Sequence, residues 1–127
     1  MTTTSILYAI AALASLVSYA LHAFVGGALM ARPFYRKAST HQVRTQAFRY
    51  CWHFVSVALI AMAAGFAALA VDPRQWFLGA FLTLTAAVGS GLSVLVAGME
   101  KSPPLKSPPT TLFAIIAAFG LGALLAG

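Results

Sequence analysis

Residues 50–71, YCWHFVSVALIAMAAGFAALAV, hold no charged side chain and are bounded by Arg49 and Asp72. Wound as an α-helix at about 1.5 Å per residue the run is roughly 33 Å long. The hydrocarbon core of a bilayer is about 30 Å thick, so this stretch reads as one membrane crossing. Three further apolar runs of the same kind lie at residues 5–30, 75–99 and 110–126, and none of the four contains a proline. The expected fold class is all-α: a four-transmembrane-helix up-down bundle, with residues 1–127 forming a single integral membrane domain.

Composition agrees with that reading. The 127 residues are 61% hydrophobic and 8% charged, against about 25% charged in an ordinary soluble domain. A chain so poor in polar side chains cannot cover its own surface in water. The first run has no basic residue ahead of it and exceeds the apolar core of a signal peptide, so it reads as a retained span. Cys51 is the only cysteine, which excludes an internal disulfide.

The net charge of +6 resides beside the apolar runs: Arg32, Arg36, Lys37, Arg44 and Arg49 between the first and second, Lys101 and Lys106 between the third and fourth, and Arg74 alone on the other side. Membrane topology explains these residues, and nucleic acid is not an expected partner. The positive-inside rule places the basic loops, residues 31–49 and 100–109, in the cytoplasm and both termini on the non-cytoplasmic side. The expected location is the bacterial inner membrane.

Local punctuation sharpens the boundaries. Asp72-Pro73 is expected to cap and open the third helix, and Ser107-Pro108-Pro109 the fourth. Ser39-Thr-His-Gln42 reads as a capping box, so the second helix is expected to begin near Thr40, well before its apolar run. Pro33 favours an irregular link between Arg32 and that start. Small residues recur at four-residue steps: Gly79, Thr83, Ala87 and Gly91; Ala114, Ala118 and Gly122; Ala61 and Gly65. Such stripes let helix backbones approach closely where lipid supplies no hydrophobic drive.

Ionisable side chains within spans are costly and point to function. His22 lies late in the first run and His53 early in the second, so antiparallel helices place both toward the 31–49 loop. Counting helical rise puts His22 roughly 12 Å inside Met30 and His53 about 5 Å inside Tyr50. Ser15, Ser18, His22 and Gly26 share one face of the first helix; Arg49, His53 and Ser56 share one on the second, flanked by Tyr50 and Trp52. Ser90, Ser93, Ala97 and Glu100 continue the polar theme on the third.

Several chemistries suit this cluster. The two histidines can hydrogen-bond serines, carbonyls or Glu100 and so lock helices together. They can ligate one haem axially, in a slot lined by Ala23, Gly26, Gly27 and Ala58. With Glu100 they match a two-histidine, one-carboxylate metal pattern. With Tyr50 they can orient a quinone or pass a proton. Phe34, Tyr35, Tyr50 and Trp52 on one edge, and Trp76 and Phe77 on the other, read as interfacial belts. Cys51 faces away from His53 on the helix and reads as a small interfacial residue, with palmitoylation as an alternative.

The sequences His22-Ala-Phe-Val-Gly-Gly27 and Arg49-Tyr-Cys-Trp-His53 resemble those of small four-helix bacterial inner-membrane proteins of unknown function. The resemblance covers the first half of the chain by motif and the second by hydropathy. It implies that His22, Gly26, Gly27, Tyr50, Trp52 and His53 belong to one site or one structural lock. Small multidrug exporters carry a carboxylate in their first helix, and this one has none; fluoride channels carry asparagine signatures, and this chain contains no asparagine. The expected role is a small structural or accessory membrane protein, assembling with itself or with a larger complex and with no catalytic residues. The alternatives are a haem- or quinone-binding protein using His22 and His53, and small-solute transport.

Overall fold

The computed structural model describes residues 1–37 and 42–127, and among these no strand occurs. The first helix runs unbroken from Thr3 to Lys37: an α-helix α1 (Thr3–Ala20), a π-helical stretch (Leu21–Ala31), and a short α2 (Arg32–Lys37). Then come α3 (Gln42–Val71), α4 (Trp76–Met99), a 3-10 turn (Pro104–Lys106) and α5 (Pro108–Ala126). Four helices are therefore long and apolar enough to cross a membrane.

The chain forms two antiparallel hairpins. In the first, Tyr8 meets Phe66 and His22 meets Trp52, so α1 and α3 run in opposite directions in constant register. In the second, Ser90 bonds Thr110 while Thr83 lies against Gly120. Around the bundle the order is α3, α1, α5, α4; α1 packs along both α3 and α5, and α3 touches α4 only lightly. The buried core gathers toward the end of the bundle that holds the termini. It consists of Tyr8 and Ala11, Leu59, Met62, Phe66 and Leu69, Leu82 and Ala86, and Ile116 and Ala123.

Two glycines make that core possible. A Cβ on Gly79 would collide with the Tyr8 hydroxyl, and one on Gly120 with the Thr83 hydroxyl. Gly65 similarly receives the Leu82 methyl at 2.7 Å from where its Cβ would sit. The small-residue stripes thus split along their length. Gly65, Gly79, Thr83 and Gly122 are inside the bundle or packed on it, whereas Ala61, Ala87, Gly91, Ala114 and Ala118 are exposed.

Outside that apolar core, burial departs from the pattern of a water-soluble domain. Thr4, Ser5, Ser15, Ser18, Thr83 and Thr110 are buried, while Phe24, Leu29, Phe54, Phe81, Leu84, Leu92 and Leu95 are exposed. The Ser15 and Ser18 hydroxyls donate to the carbonyls of Ala11 and Ala14 at 2.9 and 2.8 Å, so neither needs water. Satisfying polar groups within the same helix is what a lipid surrounding demands.

Three boundary expectations are corrected. Residues 31–37 and 42–49 are helical rather than looped, so Pro33 does not begin an irregular link. In an α-helix a proline ring meets the carbonyl four residues back. Here the N–H of Arg32 bonds the carbonyl of Gly27, five back, and Pro33 falls in the first turn of the α-helix that follows the widened stretch. Asp72 does not cap α4, whose N-cap is Gln75. Its carboxylate instead takes the Arg74 side chain at 2.8 and 3.2 Å, closing the turn onto itself. Ser107 is the N-cap of α5, with prolines in the first turn, but its hydroxyl bonds Ser93 rather than the helix backbone. The α3 helix is already formed at Gln42, as an overlong helix requires; Ser39, Thr40 and His41 of the capping box lie outside the described residues.

At the far end of α4, Lys101 takes a φ of 52°. Its N–H reaches the Gly98 carbonyl at 3.2 Å and that of Ser102 reaches Ala97 at 2.9 Å, a left-handed helix stop normally given to glycine.

Candidate functional site

Where the first hairpin leaves the core, four rings from its two helices lie in one nearly parallel column. Phe34 stacks on Phe48 with centroids 4.1 Å apart, Phe48 on Trp52 at 5.8 Å, and Trp52 on His22 at 4.1 Å, each pair within 26° of parallel. Tyr35 meets Phe48 edge-on, and the Arg49 guanidinium lies 4.7 Å from the Tyr35 ring centroid. Each such ring pair contributes about 0.5–1.5 kcal/mol beyond its buried area.

The backbone explains why these rings meet. On α3, Phe48 and Trp52 are one turn apart and share a face with Leu59, Met62 and Phe66 of the core. On the first helix, hydrogen bonds spanning five residues widen each turn, so the inward face advances by alternating steps of four and five. His22, Gly26 and buried Ala31 fall on that face, followed by Phe34 and Tyr35. An undisturbed α-helix would have presented Leu29 or Met30 there, and both are exposed. Gly26 is needed because a Cβ at that position would come within 3.0 Å of the Trp52 ring; at Gly27 nothing lies within 4 Å.

His22 bonds across the hairpin to the α3 backbone. Its Nε2 lies 3.0 Å from the Trp52 carbonyl oxygen, which also accepts the Ser56 hydroxyl at 3.2 Å. A carbonyl cannot donate, so Nε2 carries the proton. Ligation of haem iron through Nε2 requires this bond to be given up.

His53 stands elsewhere. It is exposed, in a shallow groove formed by one side of α3 with Gln46, Arg49, Tyr50, Phe54 and Val57. The inward face of α3 therefore carries Trp52 where the alignment of Arg49, His53 and Ser56 had placed His53. One residue is a rotation of about 100° on an α-helix, enough to send the second imidazole outward. Glu100 is exposed at the end of α4. Among the described residues no three histidine, cysteine or acidic side chains gather in a metal-binding group, so His22, His53 and Glu100 do not form one ligand set.

The aromatic belts divide likewise. Tyr50, stacked on Phe54, and the Trp76–Phe77 pair are exposed. Phe34, Tyr35 and Trp52 instead pack between the helices of the hairpin. Cys51 is exposed. Sequence reasoning missed Phe48 and Ala31; the four-residue step from Phe48 to Trp52 was the available signal for the first.

The second hairpin has its own polar lock. Ser93 hydrogen-bonds Ser107 at 3.1 Å and Thr110 at 2.8 Å, and Ser90 donates to the Thr110 carbonyl at 2.8 Å. These hydroxyls satisfy one another at the start of α5, where Pro108 and Pro109 leave few backbone donors.

No family model, curated protein or solved structure matches this chain.

Proposed function

We propose that the chain is a small structural or accessory protein of a bacterial inner membrane, assembling with a second copy of itself or with a larger membrane complex. The observation that carries this reading is the set of small residues left uncovered: Ala87 and Gly91 on α4, Ala114 and Ala118 on α5. No neighbouring atom comes within 4 Å of where a Cβ on Gly91 would be. Small residues at four-residue steps are the means by which membrane helices approach one another.

The orientation belongs to the same proposal. Seven of the eight basic residues flank the ends that carry the 31–49 and 100–109 segments, which favours those ends facing the cytoplasm and the termini facing out. The His22–Trp52 contact acts as a structural lock in this reading, holding the first hairpin in register while its partner surface stays free.

Mass measurement of the purified full chain in a gentle detergent tests it. An assembly larger than one chain, reduced to monomer by Gly91→Leu or Ala118→Leu, is the expected result. A monomer at every concentration, with no co-purifying membrane protein, overturns it.

A further inference from the structure

The first long helix ends in a pair of arginines on the side that looks away from α3. Apart from His22, residues 1–31 hold no ionisable basic or acidic side chain, so Arg32 is the first charged side chain of the chain. Arg36 follows one turn later, about 6 Å further along the axis. The headgroup layer on each side of a bilayer is about 5–8 Å deep. A first helix that crosses the bilayer therefore carries both guanidinium groups through the layer of phosphates.

The aromatic packing turns the pair outward. Phe34 and Tyr35 lie on Phe48 of α3. At about 100° per residue, Arg32 and Arg36 then stand on the opposite side of α2, and both are exposed. The π-helical stretch, by bringing Phe34 and Tyr35 inward, fixes that rotation.

Side chains one turn apart leave the helix about 5–6 Å from each other, so the two guanidinium groups can close on one anion, each with a fork of N–H donors. Nothing within the chain supplies that anion. Among the described residues the one ion pair joins Arg74 to Asp72 at the far end of α3, and Glu100, the only other acid, forms none. Left alone, like charges one turn apart repel. Lys37 and Arg44, both exposed, add to the positive potential. A phosphate diester at headgroup depth relieves it, and no carboxylate beside the pair favours a cationic choline.

We propose that Arg32 and Arg36 together bind the phosphate of a phospholipid with a net negative headgroup, in the leaflet on the side of the 31–49 segment. The proposal rests on the first helix crossing a bilayer and is independent of whether copies of the chain assemble.

Phosphatidylcholine vesicles holding the full chain, with a trace of spin-labelled phosphatidylglycerol or phosphatidylcholine of matched acyl chains, test it. Electron paramagnetic resonance reads the fraction of each label held at the protein. Phosphatidylglycerol is expected to be held about 5-fold more strongly, as a basic side chain at a headgroup supports, and less so as salt is raised. Arg32→Gln with Arg36→Gln brings it to the level of phosphatidylcholine. Lys101→Gln with Lys106→Gln removes the same charge from the same side of the second hairpin and leaves the preference in place. Fluorescence of Trp52 in a Trp76→Phe background reports whether the arginine variant keeps the aromatic column; if it does not, Arg36→Gln alone decides.

Equal holding of the two lipids by the native chain overturns the proposal and leaves the arginines to an acidic protein segment. An equal loss from the lysine pair overturns it too, because net charge and not this pair is then responsible. So does release of phosphatidylglycerol by inorganic phosphate but not by chloride at the same ionic strength, which marks a site for the soluble anion.

Discussion

The His22 imidazole lies 4.1 Å from the Trp52 indole, 23° from parallel, while its Nε2 donates to the carbonyl of that same residue at 3.0 Å. One side chain thus holds both the ring and the backbone of its partner. His22→Phe keeps a ring on Trp52 and loses the hydrogen bond, and His22→Ala loses both. The expected loss is about 1 kcal/mol or less for the first, with a further ring-pair contribution of about 0.5–1.5 kcal/mol for the second. Thermal unfolding in detergent, with Trp52 fluorescence followed in a Trp76→Phe background, separates the two. Equal stability of all three chains refutes the lock.

Gly26 and Gly27 are adjacent in sequence and are expected to behave oppositely. Gly26→Ala forces the Trp52 ring to give way and so weakens its stacking on both His22 and Phe48; about 1–3 kcal/mol is the usual cost of such overpacking. Gly27→Ala meets open space and gains helix propensity of up to about 1 kcal/mol. Near-ultraviolet circular dichroism of Trp52 should change for the first substitution only.

Tyr8 and Gly79 form the corresponding contact in the core. Gly79→Ala is expected to destabilise the bundle by about 1–3 kcal/mol, because the buried Tyr8 ring, stacked on Phe66, must shift to admit the methyl. Since the nearest atom is the tyrosine hydroxyl, Tyr8→Phe in the same chain should recover part of the loss. A double-mutant cycle with no coupling between the two positions refutes that contact.

Asp72 is the acid to watch in a titration. The hydrogen bond from the Arg74 side chain, with a second from its backbone N–H, holds the Asp72 carboxyl below its ordinary range. A lowered carboxyl contributes stability above the ordinary carboxylate pKa, where it is ionised in folded and unfolded chains alike. That contribution is lost as acid takes the pH down through the lowered value. Carboxyl carbon resonances, with Glu100 the only other acidic side chain, should show Asp72 titrating at lower pH than in an Arg74→Ala chain.

Hydropathy made the four long helices readable, since a charge-free run of membrane length has few other uses. The close packing of the core was partly readable too: Gly65, Gly79 and Thr83 stood on the stripes that the bundle buries. The site was harder. A strict α-helical period placed His53 with Arg49 and Ser56, but which side of α3 faces α1 depends on the bulk of Phe48 and Trp52, whose stacking settles the rotation. Pro33 favours an irregular link by its sequence, because nothing local announces eleven residues of π-helix. That winding is a compromise between the proline and the need to bring Ala31, Phe34 and Tyr35 to the inward face. Asp72 went to Arg74 because a neighbour two residues away competes well with a helix start.

The order of helices around the bundle, with α1 between α3 and α5, has a bearing on assembly in time. On one side α1 is joined by α5, which follows it by three helices in the chain, so that part of its buried face has no partner until α5 is made. Leu7, which lies against Gly122 of α5, has no partner there before then. The hydroxyls of Ser15 and Ser18 already bond carbonyls of their own helix, so these two buried groups need nothing from a helix made later. Self-sufficiency within α1 is what lets synthesis run ahead of packing.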